Sequence, residues 1–210
     1  MFQIIAILVS FALTAWAVTA VTMTVRKALA VMRVAQPVVG RRDQPMKRTI
    51  TMFKETFGHT RMLQWTWVGI MHWFVYLAFI VLSAAVATAY VQLFDPEFVL
   101  PVIGHWYPLE WTYEFLGVLS TVGIVFLIIY RQKHHPRTEG RYSRFFGSTM
   151  WQAYFVEAFA LLEGAAILFI RGAEYNLINA EGGDYGERAH FPISSYFGDV
   201  LFPSGEASIG

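Results

Sequence analysis

The stretch MLQWTWVGIMHWFVYLAFIVLSAAVATAYVQLF, residues 62–94, decides the fold of this chain. It contains no Asp, Glu, Lys or Arg, and it is rich in Trp, Ile, Val and Ala. A helix needs about 20 predominantly apolar residues to cross a bilayer, and this run is longer than that. The stretch therefore predicts a transmembrane helix.

Three further apolar runs have the same character, and they cover residues 2–25, 111–130 and 150–170. The first of them could instead be a cleaved signal peptide. A signal peptide has a basic start and a shorter apolar core. Because MFQIIAILVS contains no basic residue, we interpret residues 2–25 as a retained span. The sequence thus predicts four transmembrane helices.

The composition agrees with a membrane protein. Hydrophobic residues make up 56% of the 210 residues and charged residues only 15%, whereas soluble domains carry about 25% charged residues. The aromatic share of 17% is concentrated near the ends of the apolar runs, as in interfacial belts. We predict an all-α integral membrane helical bundle, with residues 1–170 as a four-helix domain. Residues 171–210 are rich in Gly, Pro and acidic residues and are predicted to form an outward-facing loop or tail.

The distribution of basic residues predicts the orientation. All Lys and Arg except Arg171 and Arg188 lie in the first and third connections, and the connection 95–110 has none. Cytoplasmic loops carry an excess of Lys and Arg. We therefore expect the first and third connections in the cytoplasm, and the N-terminus, residues 95–110 and the tail outside.

His72 is the most unusual residue of the second span. It lies about ten residues into the span, which corresponds to ~15 Å of helix and is near the middle of a ~30 Å hydrocarbon layer. An ionisable side chain at this depth is expensive and often functional. One interpretation is an axial ligand to haem iron, because imidazole is a common haem ligand. The alternatives are a histidine hydrogen-bonded to a neighbouring helix, and a proton relay.

His59 stands at the cytoplasmic edge of the same span. On one continuous helix it would lie ~20 Å from His72 along the axis and ~220° around it, so the two rings would point to nearly opposite sides. The height difference suits two stacked cofactors but the angle does not, unless the helix breaks near Gly58. Three interpretations of His59 therefore remain: a ligand, a loop histidine, or a contact of a quinone head group. Lys54 and Arg61 are further candidates for that quinone site.

The remaining residues offer His72 no second axial ligand of the same type. His134 and His135 lie beyond the third span, and His105 and His190 lie in outward loops. A methionine or a helix outside these 210 residues would have to complete a six-coordinate iron. The alternative quinone site is the outward face near Glu110 and Glu114.

Glu157 and Glu163 are the ionisable residues of the fourth span. They project ~120° apart on a helix, so they do not form one carboxylate pair. Each is either a protonated acid bonded to another helix or part of a proton or cofactor path.

Several classes of function are not favoured. The basic stretch RQKHHPRTEGRYSR follows an apolar span directly, so lipid headgroups or an acidic partner explain it better than nucleic acid does. The chain has no Cys, which excludes disulfides and Cys-ligated iron–sulfur clusters within it. It also has no Gly-rich phosphate loop, no nucleophile elbow and no HExxH motif.

Three stretches carry a resemblance to known proteins: residues 58–85, GHTRMLQWTWVGIMHWFVYLAFIVLSAA; residues 95–111, DPEFVLPVIGHWYPLEW; and residues 131–159, RQKHHPRTEGRYSRFFGSTMWQAYFVEAF. The overall pattern resembles the haem b gamma subunit of respiratory nitrate reductases. The three stretches are more similar to the membrane-bound electron transfer flavoprotein dehydrogenase of actinobacteria, a heterodisulfide reductase-related iron–sulfur binding reductase. The resemblance covers nearly the whole chain.

This resemblance implies a function in fatty acid β-oxidation and the respiratory chain. Electrons would pass from reduced electron transfer flavoprotein through iron–sulfur clusters to menaquinone, with haem b in the bundle and His59 and His72 at the family's histidine positions. The implied location is the bacterial plasma membrane, and a homo-oligomer is compatible with it.

The related gamma subunits have five spans and take their second haem ligands from the fifth. We therefore expect the polypeptide to continue into a fifth span, with a histidine level with His72, and into a cytoplasmic iron–sulfur domain. The alternative function is a cofactor-free membrane transporter or an assembly or anchor subunit.

Overall fold

The computed structural model describes residues 2–35, 40, 43–95, 98–182 and 184–201, and their regular structure is entirely helical. Three short elements are the α-helix α5 (Pro136–Glu139) and two 3-10 helices, Met62–Gln64 and Gly140–Tyr142. The other helices are α1 (Phe2–Val34), α2 (Pro45–Phe57), α3 (Thr66–Gln92), α4 (Tyr107–Lys133), α6 (Met150–Glu181) and α7 (Ser194–Leu201).

Four of these helices are long and apolar enough to cross a membrane. They have mean hydropathies between 1.8 and 2.4 over their most apolar windows, and each coincides with one predicted span, although α3 covers Thr66–Gln92 and not the whole of residues 62–94. The predicted all-α class and the four membrane-length helices are therefore confirmed, and they indicate a multi-pass membrane protein. The spans are α1, α3, α4 and α6.

The chain divides into two compact units, Met1–Gly58 with Thr88–Phe98, and His59–Ala87 with Val99–Gly210. In the first unit, α1 packs against the last turn of α3 and the residues after it. The Phe11 ring meets Tyr90 and Phe94 edge-on, at centroid distances of 5.8 and 6.0 Å. Thr14 and Tyr90 join their hydroxyls in a hydrogen bond. This polar contact adds to the ring contacts between α1 and the end of α3.

In the second unit, glycines allow α4 and α6 to approach closely. A Cβ on Gly117 of α4 would lie 2.6 Å from the Ile167 side chain. A Cβ on Gly164 of α6 would overlap the hydroxyl of Ser120. Because apolar side chains gain nothing from leaving lipid, small residues at such contacts are typical of membrane helix packing.

The residues after 170 differ from the predicted loop. The helix α6 continues past Ile170 to Glu181, and residues 194–201 form α7, which packs on that extension. The contact centres on two glycines, since a Cβ on Gly198 would lie 2.7 Å from the carbonyl oxygen of Gly172. The prediction of a loop was wrong here because hydropathy detects membrane spans, whereas this extension is polar and α7 buries Ser194, Ser195 and Gly198. The boundary at residue 170 therefore does not separate two domains.

Candidate functional site

The helical backbone is interrupted between α2 and α3. The sequence allowed for such a helix break near Gly58. The helix α2 ends at Phe57, and His59 has a left-handed backbone with φ of 50°. The amide of Leu63 donates to the carbonyl of His59, and the 3-10 helix Met62–Gln64 follows. His59 and His72 therefore do not lie on one continuous helix.

The break brings the two histidines together. Their ring centroids lie 5.2 Å apart with an interplanar angle of 36°. The ring of Tyr76 lies 4.2 Å from that of His59. The separation of ~20 Å holds only for one continuous helix, and the break near Gly58 that the sequence left open places the two rings side by side instead. Both belong to one site, at the beginning of α3.

Gly69 allows the 3-10 helix Met62–Gln64 to pack closely against α3. A Cβ at Gly69 would overlap the carbonyl group of Met62. The backbone of the 3-10 helix therefore lies directly against the first turn of α3. Tyr76 was not among the predicted site residues, although it stands four positions after His72, a spacing that places two side chains on the same face of a helix.

His72 has a buried ring nitrogen that lacks a partner. Its Nδ1 atom makes no hydrogen bond within the described part of the chain. Leaving such an atom unpaired costs about 1–3 kcal/mol. This nitrogen therefore makes no hydrogen bond to a neighbouring helix among the described residues. The atom is suited to an external ligand or donor group.

The quinone-site candidates are distributed over both units. Lys54 is an exposed side chain of α2 in the first unit, whereas Arg61 and His59 belong to the second. Their grouping around a quinone stays a prediction. A shallow depression of about 500 Å³ on α2 is lined by Lys47, Arg48 and other residues, but not by Lys54.

Glu157 forms an ion pair with the end of α4. The Nε of Arg131 lies 2.5 Å from Oε1 of Glu157, and both side chains are largely buried. The other oxygen, Oε2, has no hydrogen-bond partner among the described residues. Because arginine does not lose its proton in proteins, Glu157 faces a permanent positive charge.

Glu163 has a different environment. It is half-buried, and among the described residues it makes no hydrogen bond or ion pair. The two glutamates of α6 therefore have different surroundings. Glu157 is paired with a cation, and among the described residues Glu163 is not.

A second candidate site lies where α4, α6 and α7 meet, and its centre is Glu114. This carboxylate has no exposed surface. Its Oε1 accepts hydrogen bonds from Nε of Arg171 at 2.9 Å and from the hydroxyl of Ser194 at 2.5 Å. Its Oε2 accepts from the backbone amides of Ile193 and Ser194 at 2.7 and 3.0 Å. Glu114 thereby caps the amino end of α7, where a negative charge is favourable.

Arg171 is equally well satisfied. Its NH2 group donates to the carbonyl oxygen of His190 at 2.6 Å, and its guanidinium lies 4.6 Å from the centroid of the buried Phe191 ring. Buried charges are tolerated when they are paired and hydrogen-bonded. This network fixes the connection between α6 and α7.

Beside this network, His190 shares a hydrogen bond with Glu110. The Nδ1 of His190 lies 2.6 Å from Oε2 of Glu110, and both residues are buried. Tyr107 stacks on the His190 ring at 4.2 Å. His105 lies at the rim, stacked on Tyr185 at 4.0 Å, with its Nδ1 3.9 Å from the other oxygen of Glu110.

Sequence reasoning considered Glu110 and Glu114 only as an alternative quinone site and did not assign Arg171 a role. A signal was present, because Arg171 and Arg188 are the two basic residues outside the basic connections. Arg188 pairs with Asp199 of α7 at 2.5 Å. The hydrogen bond from Arg188 to Asp199 raises the pKa of the guanidinium above its usual value.

The described residues contain no group of three or more His, Cys, Asp or Glu side chains arranged to hold a metal ion. Comparisons of the chain with protein-family models, curated proteins and solved structures give no match.

Proposed function

We propose that this chain is the haem b-binding membrane part of an electron-transfer oxidoreductase. It would pass electrons from reduced electron transfer flavoprotein, through iron–sulfur clusters outside this stretch, to menaquinone. The observation that carries the proposal is the Nδ1 atom of His72, which is buried in a charge-free membrane helix and has no hydrogen-bond partner among the described residues. The resemblance in residues 58–85, 95–111 and 131–159 supports the same function.

In this proposal His72 would hold the haem iron, and haem, when bound, would supply one-electron transfer. A histidine that binds a metal uses one ring nitrogen and usually donates a hydrogen bond from the other. The backbone break at His59 holds a second imidazole and the ring of Tyr76 beside the ligand. Ala78 and Leu82, further along α3, are buried as well.

The quinone would bind at the basic side of the membrane, near His59 and Arg61. A quinone needs an apolar slot for its tail and a polar group near each carbonyl oxygen. The support for this location is that the apolar helix α3 begins just after the basic connection. By the positive-inside rule this side is cytoplasmic, where an iron–sulfur domain and the flavoprotein would deliver electrons. The membrane would be the bacterial plasma membrane.

The test is a reduced-minus-oxidised absorbance spectrum of the full-length protein in its native membrane, before and after substitution. His72→Ala should remove a b-type haem band. His72→Asn restores a polar group near the position of Nδ1 but cannot replace an imidazole ligand, so it should also lack the band.

His135→Ala is the matched control, because His135 lies outside the spans and its Nδ1 accepts only from the amide of Arg137. It should keep the full spectrum. A complete and unshifted haem spectrum in both His72 variants would refute the proposal.

The second candidate function is a cofactor-free, proton-coupled carrier. Glu163 favours it, because this acid lies in a membrane helix without a partner among the described residues. Such a carrier would contain no haem, and Glu163→Gln would abolish proton-coupled uptake. The spectrum of the unsubstituted protein distinguishes the two functions.

A further inference from the structure

The helix α2 separates apolar from basic residues along its length. Met46, Ile50, Phe53 and Phe57 recur at intervals of three and four residues, so they fall within an arc of ~60°. Each of these side chains is more than half exposed, and the Phe53 and Phe57 rings stack at 5.7 Å. The helix thus presents a continuous apolar stripe that no described part of the chain covers.

The charged residues of α2 are placed around this stripe. Lys47 and Lys54 fall on the same border of it, ~40–120° from its members. Arg48 points to the opposite face, where its guanidinium pairs with Asp43 at 2.8 Å. Lysines at the border of an apolar surface can lay their methylene stems along it and keep their ammonium groups in the polar layer.

The chain restricts where this helix can lie. Residues 35–44 connect the end of α1, a membrane-length helix, to Pro45. Ten residues span at most ~35 Å, so α2 begins close to the membrane surface at which α1 ends. That end of α1 carries Arg26, Lys27 and Arg33. A lipid surface on the basic side of the protein therefore lies within reach of the stripe.

We propose that α2 lies in the plane of the bilayer surface and binds anionic phospholipid. Its apolar stripe inserts at the boundary between headgroups and acyl chains, as in other interfacial amphipathic helices. Lys47 and Lys54 contact the phosphates of anionic headgroups, to which basic side chains near a membrane are attracted. The helix would thereby act as a lipid-dependent tether between the first and second spans.

The experiment uses spin labels on the full chain in bilayer nanodiscs. Because the chain contains no Cys, Ile50→Cys and Thr51→Cys each give one label, on the stripe and on the polar side respectively. The measurement is the accessibility of each label to oxygen, which partitions into lipid, and to a water-soluble nickel chelate. We expect a several-fold higher oxygen-to-nickel ratio for the Ile50→Cys label than for the Thr51→Cys label.

The lipid requirement is tested by adding Lys47→Gln and Lys54→Gln to the Ile50→Cys protein. In nanodiscs of phosphatidylcholine with phosphatidylglycerol, this double change should lower the oxygen-to-nickel ratio. In phosphatidylcholine alone it should have little effect. An equal loss in both lipids, or no loss in either, would overturn the binding of anionic headgroups.

The insertion itself has separate contrary outcomes. If the nickel chelate reaches both labels equally, α2 is in water and the proposal fails. If neither reagent reaches the Ile50→Cys label, a protein surface covers the stripe, and lipid is the wrong occupant. Helicity measured by circular dichroism verifies that each labelled protein is folded.

Discussion

Glu114 of α4 and Arg171 of α6 form a buried ion pair, with Oε1 of the glutamate 2.9 Å from Nε of the arginine. The same carboxylate holds the amino end of α7 through two backbone amides. One side chain thus connects three helices. The pair lies at the end of the spans that carries no basic connection, where α7 closes over α4 and α6.

Breaking this pair should destabilise the protein strongly. Arg171→Leu leaves the Glu114 carboxylate buried without its cation, and loss of one partner of a buried pair costs about 3–5 kcal/mol. The measurement is thermal unfolding in detergent, monitored by circular dichroism. Arg188→Gln is the control, because the Arg188–Asp199 pair is exposed and its loss should leave the unfolding temperature unchanged. Equal effects of the two substitutions would contradict the assigned role of Glu114.

The two glutamates of α6 should respond differently to the same substitution. Glu157→Gln leaves Arg131 partly buried without its carboxylate, so we expect a loss of about 1–3 kcal/mol in the free energy of unfolding, since partial exposure weakens the pair. Glu163→Gln removes no ion pair among the described residues and should be close to neutral. Denaturation of both variants in the same detergent measures the difference. A larger effect at Glu163 would show that this residue has the more important interaction.

The contact between α4 and α6 should tolerate no added methyl group at Gly164. Gly164→Ala places a Cβ against the Ser120 hydroxyl, and overpacking of this kind costs about 1–3 kcal/mol. Ala166→Ser changes an exposed position of the same helix and serves as the control. The expected result is a lower unfolding temperature for Gly164→Ala alone. If both variants unfold like the original protein, the close approach of the two helices is incorrect.

His59→Ala should alter the properties of a bound haem without preventing haem binding. If His72 holds haem, His59→Ala removes a neighbouring imidazole at 5.2 Å but leaves the ligand, so the haem band should persist with a shifted midpoint potential. The quinone site proposed here predicts that His59→Ala also slows quinone reduction. Potentiometric titration and a quinol-formation assay on the full-length protein measure these effects. Complete loss of haem in His59→Ala would instead make His59 a ligand.

The sequence by itself determined the four membrane-length helices. Crossing a bilayer requires about 20 consecutive apolar residues, and this requirement is local, so it can be detected without knowing what each helix contacts. The same locality explains the error after residue 170. Hydropathy recognises spans, and it does not recognise a polar helical extension or a short helix such as α7, whose buried face consists of serine and glycine.

Only the tertiary structure decided which distant residues meet. The proximity of His59 and His72 depends on one left-handed residue and a 3-10 turn, and the pairing of Glu114 with Arg171 joins residues far apart in the chain. The hydropathy and charge of these residues are the same whether they meet or not. A buried charge or ring nitrogen needs a hydrogen-bond or ion-pair partner across the helix interface. Helix packing selects that partner, because the glycines and turns determine which groups lie close enough.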